Sequence, residues 1–351
     1  MKRKAERPAS RSRRRWPRRA ALGLLAILVL AAGAWAAWRY ETTWPKIAAG
    51  APKAIFVVPP GASADAIARQ LHGLGLVRHP LVLRLLARER GLETQLKAGE
   101  YALSGPLSLE GILDALARGD VVRRDVTIPE GRNLDEVAAL VVAQGMESTA
   151  FLEAARDPAP VRDLDPAATD LEGYLFPDTY DLPRRAPAAD LVEAMVAGFR
   201  RVFDESRRER AAELGLSVRD VVTLASLIEE ETALPEERPL VSAVFHNRLR
   251  LGMRLDCDPT IAYALKRGGR YTGRLLFRDL KLDSPYNTYL HAGLPPGPIS
   301  SPGASSLEAA LHPARVDFLY FVARGDGSHR FSRTLGEHLA AVEKYRELKN
   351  H

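Results

Sequence analysis

The run "AALGLLAILVLAAGAWAAW", Ala20 to Trp38, is nineteen residues long and carries no charge. It constrains the chain more than any other feature, because about twenty apolar residues are what a helix needs to cross a bilayer core. Trp16 precedes the run and Trp35 and Trp38 close it, where the tryptophans of an interfacial belt belong. In front of it, residues 1–19 hold ten Lys or Arg against one Glu, a net +9, while the whole chain is only +6. The rest of the chain is therefore −3, and the basic character belongs to the tail. Such a tail also suits a nucleic-acid arm, but the acidic remainder offers no second basic surface, and no nucleic-acid partner is expected. A cleaved signal peptide is the alternative to a retained anchor, since "AAGAWAAW" holds small residues in an A-x-A pattern. The apolar run exceeds a usual signal core, so the anchor is the expectation. Positive charge stays cytoplasmic. The predicted topology is a single pass through the inner (cytoplasmic) membrane, with the 1–19 tail in the cytoplasm and residues 39–351 on the outer, periplasmic side. The single cysteine, Cys257, excludes an intrachain disulfide, so the outer part must be held by its core.

Two stretches resemble each other at an offset of 70, "VVPPGASADAIARQL" from Val57 and "TIPEGRNLDEVAALV" from Thr127. Each reads as a strand, a Pro-x-Gly turn, a Ser or Asn at a helix N-cap and an amphipathic helix. Between them, a short strand around Tyr101 and a helix from Ser108 to Arg118, ended by Gly119, complete a small α+β module over residues 52–122. Residues 39–51 read as a linker and residues 123–351 as a larger α+β domain. In that domain, 156–170 and 183–190 read as loops, with helices near 190–213, 218–232 and 236–250. Gly325-Asp326-Gly327 turns a final hairpin, and Thr334 with Glu337 forms a capping box for the last helix.

The stretch "VVTLASLIEEET", 221–232, ends an apolar helix on three glutamates. Ser217 and Asp220 form a capping box that starts this helix at Val218. With Val221 at 0°, Glu230 falls at about 180° beside Thr223 and Ser226, a polar and solvated face. Glu229 falls at about 80° and Glu231 at about 280°, both inside the apolar arc. Carboxylates turned toward a core must be paired, hydrogen-bonded or protonated, and burial raises a carboxyl pKa toward what a general acid needs. The plain alternative is a structural ion pair with Arg238 or Arg248, and spacing alone leaves both readings open.

The surrounding residues carry a specific resemblance. "ASLIEEET" with "ERPLVSAVFHNRLRLGMRLDCDPTIAYAL" (237–265), "LEGYLFPDTY" (171–180), "SPYNTYLHAGLPPGPISSPG" (284–303) and "YFVARGDGSHRFSRTLGEH" (320–338) resemble, in order, segments of the endolytic murein transglycosylases. These are membrane-anchored enzymes that cut peptidoglycan glycan strands. The resemblance runs from the apolar helix to the last helix and implies that 52–122 is a LysM-like module and 123–351 the catalytic domain. It places the catalytic acid on Glu229, the first glutamate of an E-x-E pair whose second is Glu231. It also implies a reaction at the MurNAc–GlcNAc bond in which the sugar's own C6 hydroxyl attacks the anomeric carbon and leaves a 1,6-anhydro end. A tethered nucleophile needs no second carboxylate, so one glutamate can serve as acid and then base. Nascent strands near the membrane are the implied substrate, and cell-wall synthases the implied partners. Cys257 departs from the small polar residue expected at its position.

The "SPYNTYLHAGLPPGPI" loop has the composition of a sugar cleft. Tyr286 and Tyr289 offer flat faces with a polar handle and Asn287 an amide, with Tyr286 and Asn287 the first choices for substrate contact and an ordinary surface loop the alternative. Glu172 is a candidate second cleft carboxylate, with Tyr174, Phe176 and Tyr180 alternating like a half-buried strand and assigned to core. Glu231 is expected to orient hydrogen bonds near the substrate. His246, Asp256, Cys257 and Asp258 match no closed zinc spacing, so neither metal nor other cofactor is expected. Two further functions compete: a tethered peptidoglycan-binding module without catalysis, and a muramidase that uses water and needs a second carboxylate from Glu172, Asp256 or Asp258.

Overall fold

The computed structural model describes residues 18–47 and 53–349. Most of the basic tail with Trp16, residues 48–51 of the linker and the first residue assigned to the small module lie outside these. The chain divides into two compact units, residues up to Val122 with Pro183–Arg185, and Arg123–Leu182 with Ala186 onward.

In the first unit, α1 (Arg18–Thr43) extends five residues past the apolar run, so the start of the expected linker is helical. Within Ala20–Thr43 an 18-residue window has a mean hydropathy of 2.2 and none of that window is buried, which fits a single membrane anchor. β1 (Ala54–Val58) follows, then α2 (Ala64–Gly73), α3 (Pro80–Glu89), β2 (Gly99–Leu103) and α4 (Leu109–Arg118). β1 and β2 pair antiparallel with Phe56 opposite Tyr101. Ser63 and Ser108 cap α2 and α4, as their sequences predict. The 3.6-residue spacing of Ile67 and Leu71 on α2 and of Ile112, Leu113 and Leu116 on α4 turns these side chains into one core under the two strands.

In the second unit, β3 (Arg123–Thr127) and β4 (Thr179–Pro183) form a two-stranded sheet, with α5 (Leu134–Ala143) and α6 (Ser148–Ala155) between them in sequence. Then come α7 (Ala188–Val202), α8 (Glu205–Glu213), α9 (Val218–Glu231), α10 (Arg238–Arg250), α11 (Asp258–Arg267), α12 (Ala304–Leu311), the hairpin β5 (Tyr320–Ala323) and β6 (His329–Ser332), and α13 (Leu335–Lys349). The expected helix of 190–213 is two helices, because Asp204 caps a new start by accepting from Arg207 N. Tyr174, Phe176 and Tyr180 are core as expected, although only Tyr180 lies on a strand.

α9 is the axis of this unit. The capping box of Ser217 and Asp220 starts it, and every residue from Val221 to Ile228 is buried. This corrects the expectation of a solvated face around Thr223 and Ser226. α8, α10, α11 and α12 all pack on α9, and the Ser226 hydroxyl meets its needs internally, donating to Thr223 O at 2.7 Å and accepting from Ile299 N at 3.1 Å.

Candidate active site

Burial on all sides ends where α9 ends, and there the three glutamates part. Glu229 points to α10 and α12, its side chain only 6% exposed. Its Oε1 accepts from Arg238 Nη2 at 2.9 Å and its Oε2 from the Gly303 backbone N–H at 2.9 Å. Gly303 is the N-cap residue of α12, so the carboxylate sits at the positive end of a helix. Arg238 is the first residue of α10, with a proline in the same first turn. The tight return from α9 is held by Glu237, which accepts from Thr232 Oγ1, from the His329 N–H at 2.8 Å and pairs with His329 Nδ1 at 2.6 Å. Arg238 Nη1 also donates to Ser305 Oγ. The ion pair that a purely structural helix end would make is thus present, on the same carboxylate that the family resemblance assigns to the acid.

One residue at this centre escaped the sequence reading. Glu130, from the Pro-Glu-Gly turn before α5, lies against the Glu229 carboxyl and within 3.5 Å of the same Arg238 Nη2. Burial, and then the charge of Glu229, push its carboxyl pKa up. The turn is held there by an antiparallel bridge, Gly131 N to Ser301 O and Ser301 N to Arg132 O, both 2.9 Å. Gly303 makes room for Glu130, because a Cβ there would overlap the end of the Glu130 side chain as it lies. Gly131, at φ +72, has Glu230 Oε1 and Glu229 Cγ over its face. The signal in the sequence was the difference between the two Pro-x-Gly turns: Glu130 stands where the first copy has Pro60.

Glu230 is the exposed member of the three, as the helical geometry predicts, but its carboxyl is drawn over Gly131 and burial raises its pKa. Beside it Lys266 Nζ bridges to Glu136 Oε1 at 2.8 Å. The recess there has a volume of about 10 Å³, room for about one water and not for a sugar. Glu231 leaves the opposite side of α9 and meets the Cys257 thiol; burial pushes its carboxyl up to about 7 and the thiol up as well. Cys257 is therefore a partner of Glu231.

The remaining expected substrate contacts form a separate group. Asn287 is fully buried; its amide donates to Leu280 O and Leu282 O and accepts from Tyr289 N. It ties the loop together, which corrects the expectation of a free amide facing a sugar. Glu172 is also buried, accepting from Leu134 N at the start of α5 and from Tyr263 OH at 3.1 Å. Burial pushes it up to about 8. It is a buried helix-start anchor where an open cleft carboxylate was expected. Tyr286 is half-buried with its ring centroid 5.0 Å from that of Tyr263. No hydrogen bond among the described residues joins Tyr286, Asn287 or Glu172 to Glu229. The other candidates for a second carboxylate are engaged, Asp256 with Arg248 at 3.1 Å and Asp258 with Tyr289 OH at 2.6 Å. His246 Nε2 meets Ala310 O at 2.9 Å. A groove of 790 Å³ between the β5–β6 hairpin and α13, lined by Arg324, Arg330 and Lys344 among others, contains none of these glutamates.

A helix long and apolar enough to cross a membrane, together with a unit that gathers two carboxyls and a guanidinium at a helix end, fits an anchored protein with acid–base groups placed together. The YceG-like family pattern matches residues 56–344, and the chain belongs to that family. Similar proteins include an endolytic murein transglycosylase of Bacillus subtilis (strain 168), 34% identical over 84% of this chain and 85% of that protein. One of the same name from Streptococcus pneumoniae (serotype 2, strain D39) is 32% identical over 86% of this chain, which spans 60% of that longer relative. A crystal structure of a yceG-like protein from Listeria monocytogenes superposes with a TM-score of 0.55 at 33% identity, covering 82% of this chain and 98% of that one.

Proposed function

We propose that this protein is an endolytic lytic transglycosylase that cuts the MurNAc–GlcNAc bond of peptidoglycan strands, with Glu229 as its acid and base. The observation that carries the reading is the placement of Glu229, on a rigid buried helix, its two oxygens oriented by Arg238 and Gly303. The carboxyl protonates the leaving O4 oxygen as the C1–O4 bond breaks. The C6 hydroxyl of the same MurNAc then bonds to C1 and returns its proton to Glu229, leaving a 1,6-anhydro end. The nucleophile is part of the substrate, so no activated water is required.

The other site residues take graded roles. Tyr286 provides an aromatic face for a sugar ring, Asn287 shapes the loop that carries it, Glu231 orients the end of α9 from its far side, and Glu172 holds the start of α5. Residues 52–122 act as a LysM-like module and 123–351 as the catalytic domain. The tail lies in the cytoplasm, α1 crosses the inner membrane and the two units face outward. A short tether limits reach to nearby strands, so nascent glycan is the substrate and wall synthases are neighbours.

The test is the end-group mass spectrum of glycan strands treated with the full-length protein in detergent, beside Glu229→Gln. Anhydro ends that vanish in the variant are expected. Reducing ends would identify a muramidase, and binding without cleavage a tethered glycan-binding module.

A further inference from the structure

We infer that Glu130 is a positioning residue of the acid–base machinery, holding with Glu229 one shared proton beneath the Arg238 guanidinium. The inference rests on Glu229 being the acid, as proposed above. Its geometry comes from three places in the chain. Arg238 Nη2 reaches both carboxyls, at 2.9 Å to Glu229 Oε1 and 3.5 Å to Glu130 Oε2. The two carboxyls are thus held side by side by one guanidinium. Gly303 frames both, binding Glu229 through its N–H and yielding to Glu130 the space of its missing Cβ.

Two carboxyls in contact beside a single guanidinium do not both ionise readily near neutral pH, because one charge is left without compensation. The charged groups facing Glu130 are Glu229 and Arg238, and Glu230 lies over the adjacent Gly131. Behind Glu230 stand Lys266 and Glu136, already paired with each other. The facing segment Ser300–Gly303 brings no charge. The balance therefore favours one retained proton, in line with the raised carboxyl of Glu130.

This solves a chemical difficulty of the site. An arginine by itself favours the ionised form of its partner, the wrong state for an acid. A second carboxyl beside the first gives the pair a place to keep a proton without removing the arginine that orients the first. In the reaction the shared proton passes through Glu229 to the O4 oxygen as C1–O4 breaks. The C6 hydroxyl proton then returns to Glu229 as C6–O bonds to C1, and the pair again holds one proton. Half of the Glu130 side chain is open to solvent, at 46% exposure, so the pair can lose and regain its proton between turnovers.

Two variants separate the proton from the fold. Glu130→Gln keeps the shape and removes the titration. Gly303→Ala keeps every charge: its φ is −77, so alanine brings no backbone strain, and the methyl displaces only the end of the half-exposed Glu130 side chain. The measurement is kcat for anhydro-end formation against pH, with full-length protein in detergent, together with glycan pull-down. In both variants the alkaline limb is expected to move about one pH unit lower, with activity roughly 10-fold down near neutrality and regained in acid, while binding holds. A profile superimposable on the parent's, or a loss equal at every pH, would overturn the inference. Glu229→Gln, run in parallel, must be inactive throughout; residual anhydro product there would instead overturn the assignment of the acid.

Discussion

The two Pro-x-Gly turns of this chain are built alike and surrounded differently. In the first, Ala62 N returns to Pro59 O at 3.2 Å, Ser63 caps α2, and Pro59, Pro60 and Gly61 stay exposed with nothing over the Gly61 face. In the second, Asn133 and Glu136 form a full capping box for α5, and the turn is pinned to Ser301 by two backbone hydrogen bonds. Only the second has a carboxyl, Glu130, and that carboxyl lies on Glu229. Local chemistry makes a strand run into a helix in both. Only at the second turn are a distant segment, here 300–303, and the end of α9 brought together with it.

Converting the second turn to the first removes its carboxyl. Glu130→Pro recreates the Pro-Pro-Gly that the first turn carries. The kcat for strand cleavage should fall roughly 10- to 100-fold near neutral pH, with little change in melting temperature; full activity would make the two turns equivalent after all.

Next in size is a stability effect that follows from Glu172, which anchors the second turn's helix. Burial pushes Glu172 up to about 8 and Glu231 up to about 7, from an ordinary 4.5. For both, the folded pKa lies above the unfolded one, so the folded state binds more protons across that window. Stability is full below about 4.5 and declines as pH rises toward 8. Unfolding free energies from denaturant titrations at pH 5 and pH 8 should differ by an amount on the order of a few kcal/mol, and Glu172→Gln should flatten part of that slope. An unchanged slope would show that Glu172 is not the titrating group.

Smaller effects come from the caps. Asn133→Ala and Ser63→Ala should each cost about 1 kcal/mol by thermal unfolding, the former somewhat more because its box satisfies two donors. Smallest is Pro60→Glu, which puts a carboxyl on the exposed first turn and should leave cleavage rate and stability within about 0.5 kcal/mol of the parent. A measurable gain or loss of activity there would mean that the first turn also meets substrate.

Much of the frame was legible because it rests on short-range rules. The capping box at Ser217, the N-cap at Asn133, the glycine stop of α4, the terminal hairpin and the apolar length of α1 depend on residues a few positions apart. The helical period likewise sent Glu229 and Glu231 to opposite sides of α9 and left Glu230 outward. The same period misjudged Thr223 and Ser226, since it describes one helix and is blind to how many neighbours will surround it. Composition misled at Asn287, whose amide is taken up by its own loop.

Local sterics and periodic burial, legible in the order of residues, set the membrane-length helix, the start and stop of the principal elements and which glutamates turn inward. That Glu229 meets Arg238 nine residues on and Gly303 seventy-four residues on, and that Glu130 joins them from another part of the unit, follows from the packing of elements far apart in the chain. Those meetings depend on how α9, α10, α12 and the Pro-Glu-Gly turn pack around one point. No spacing along the chain encodes the distance between groups whose separation is set by the packing of the elements that carry them.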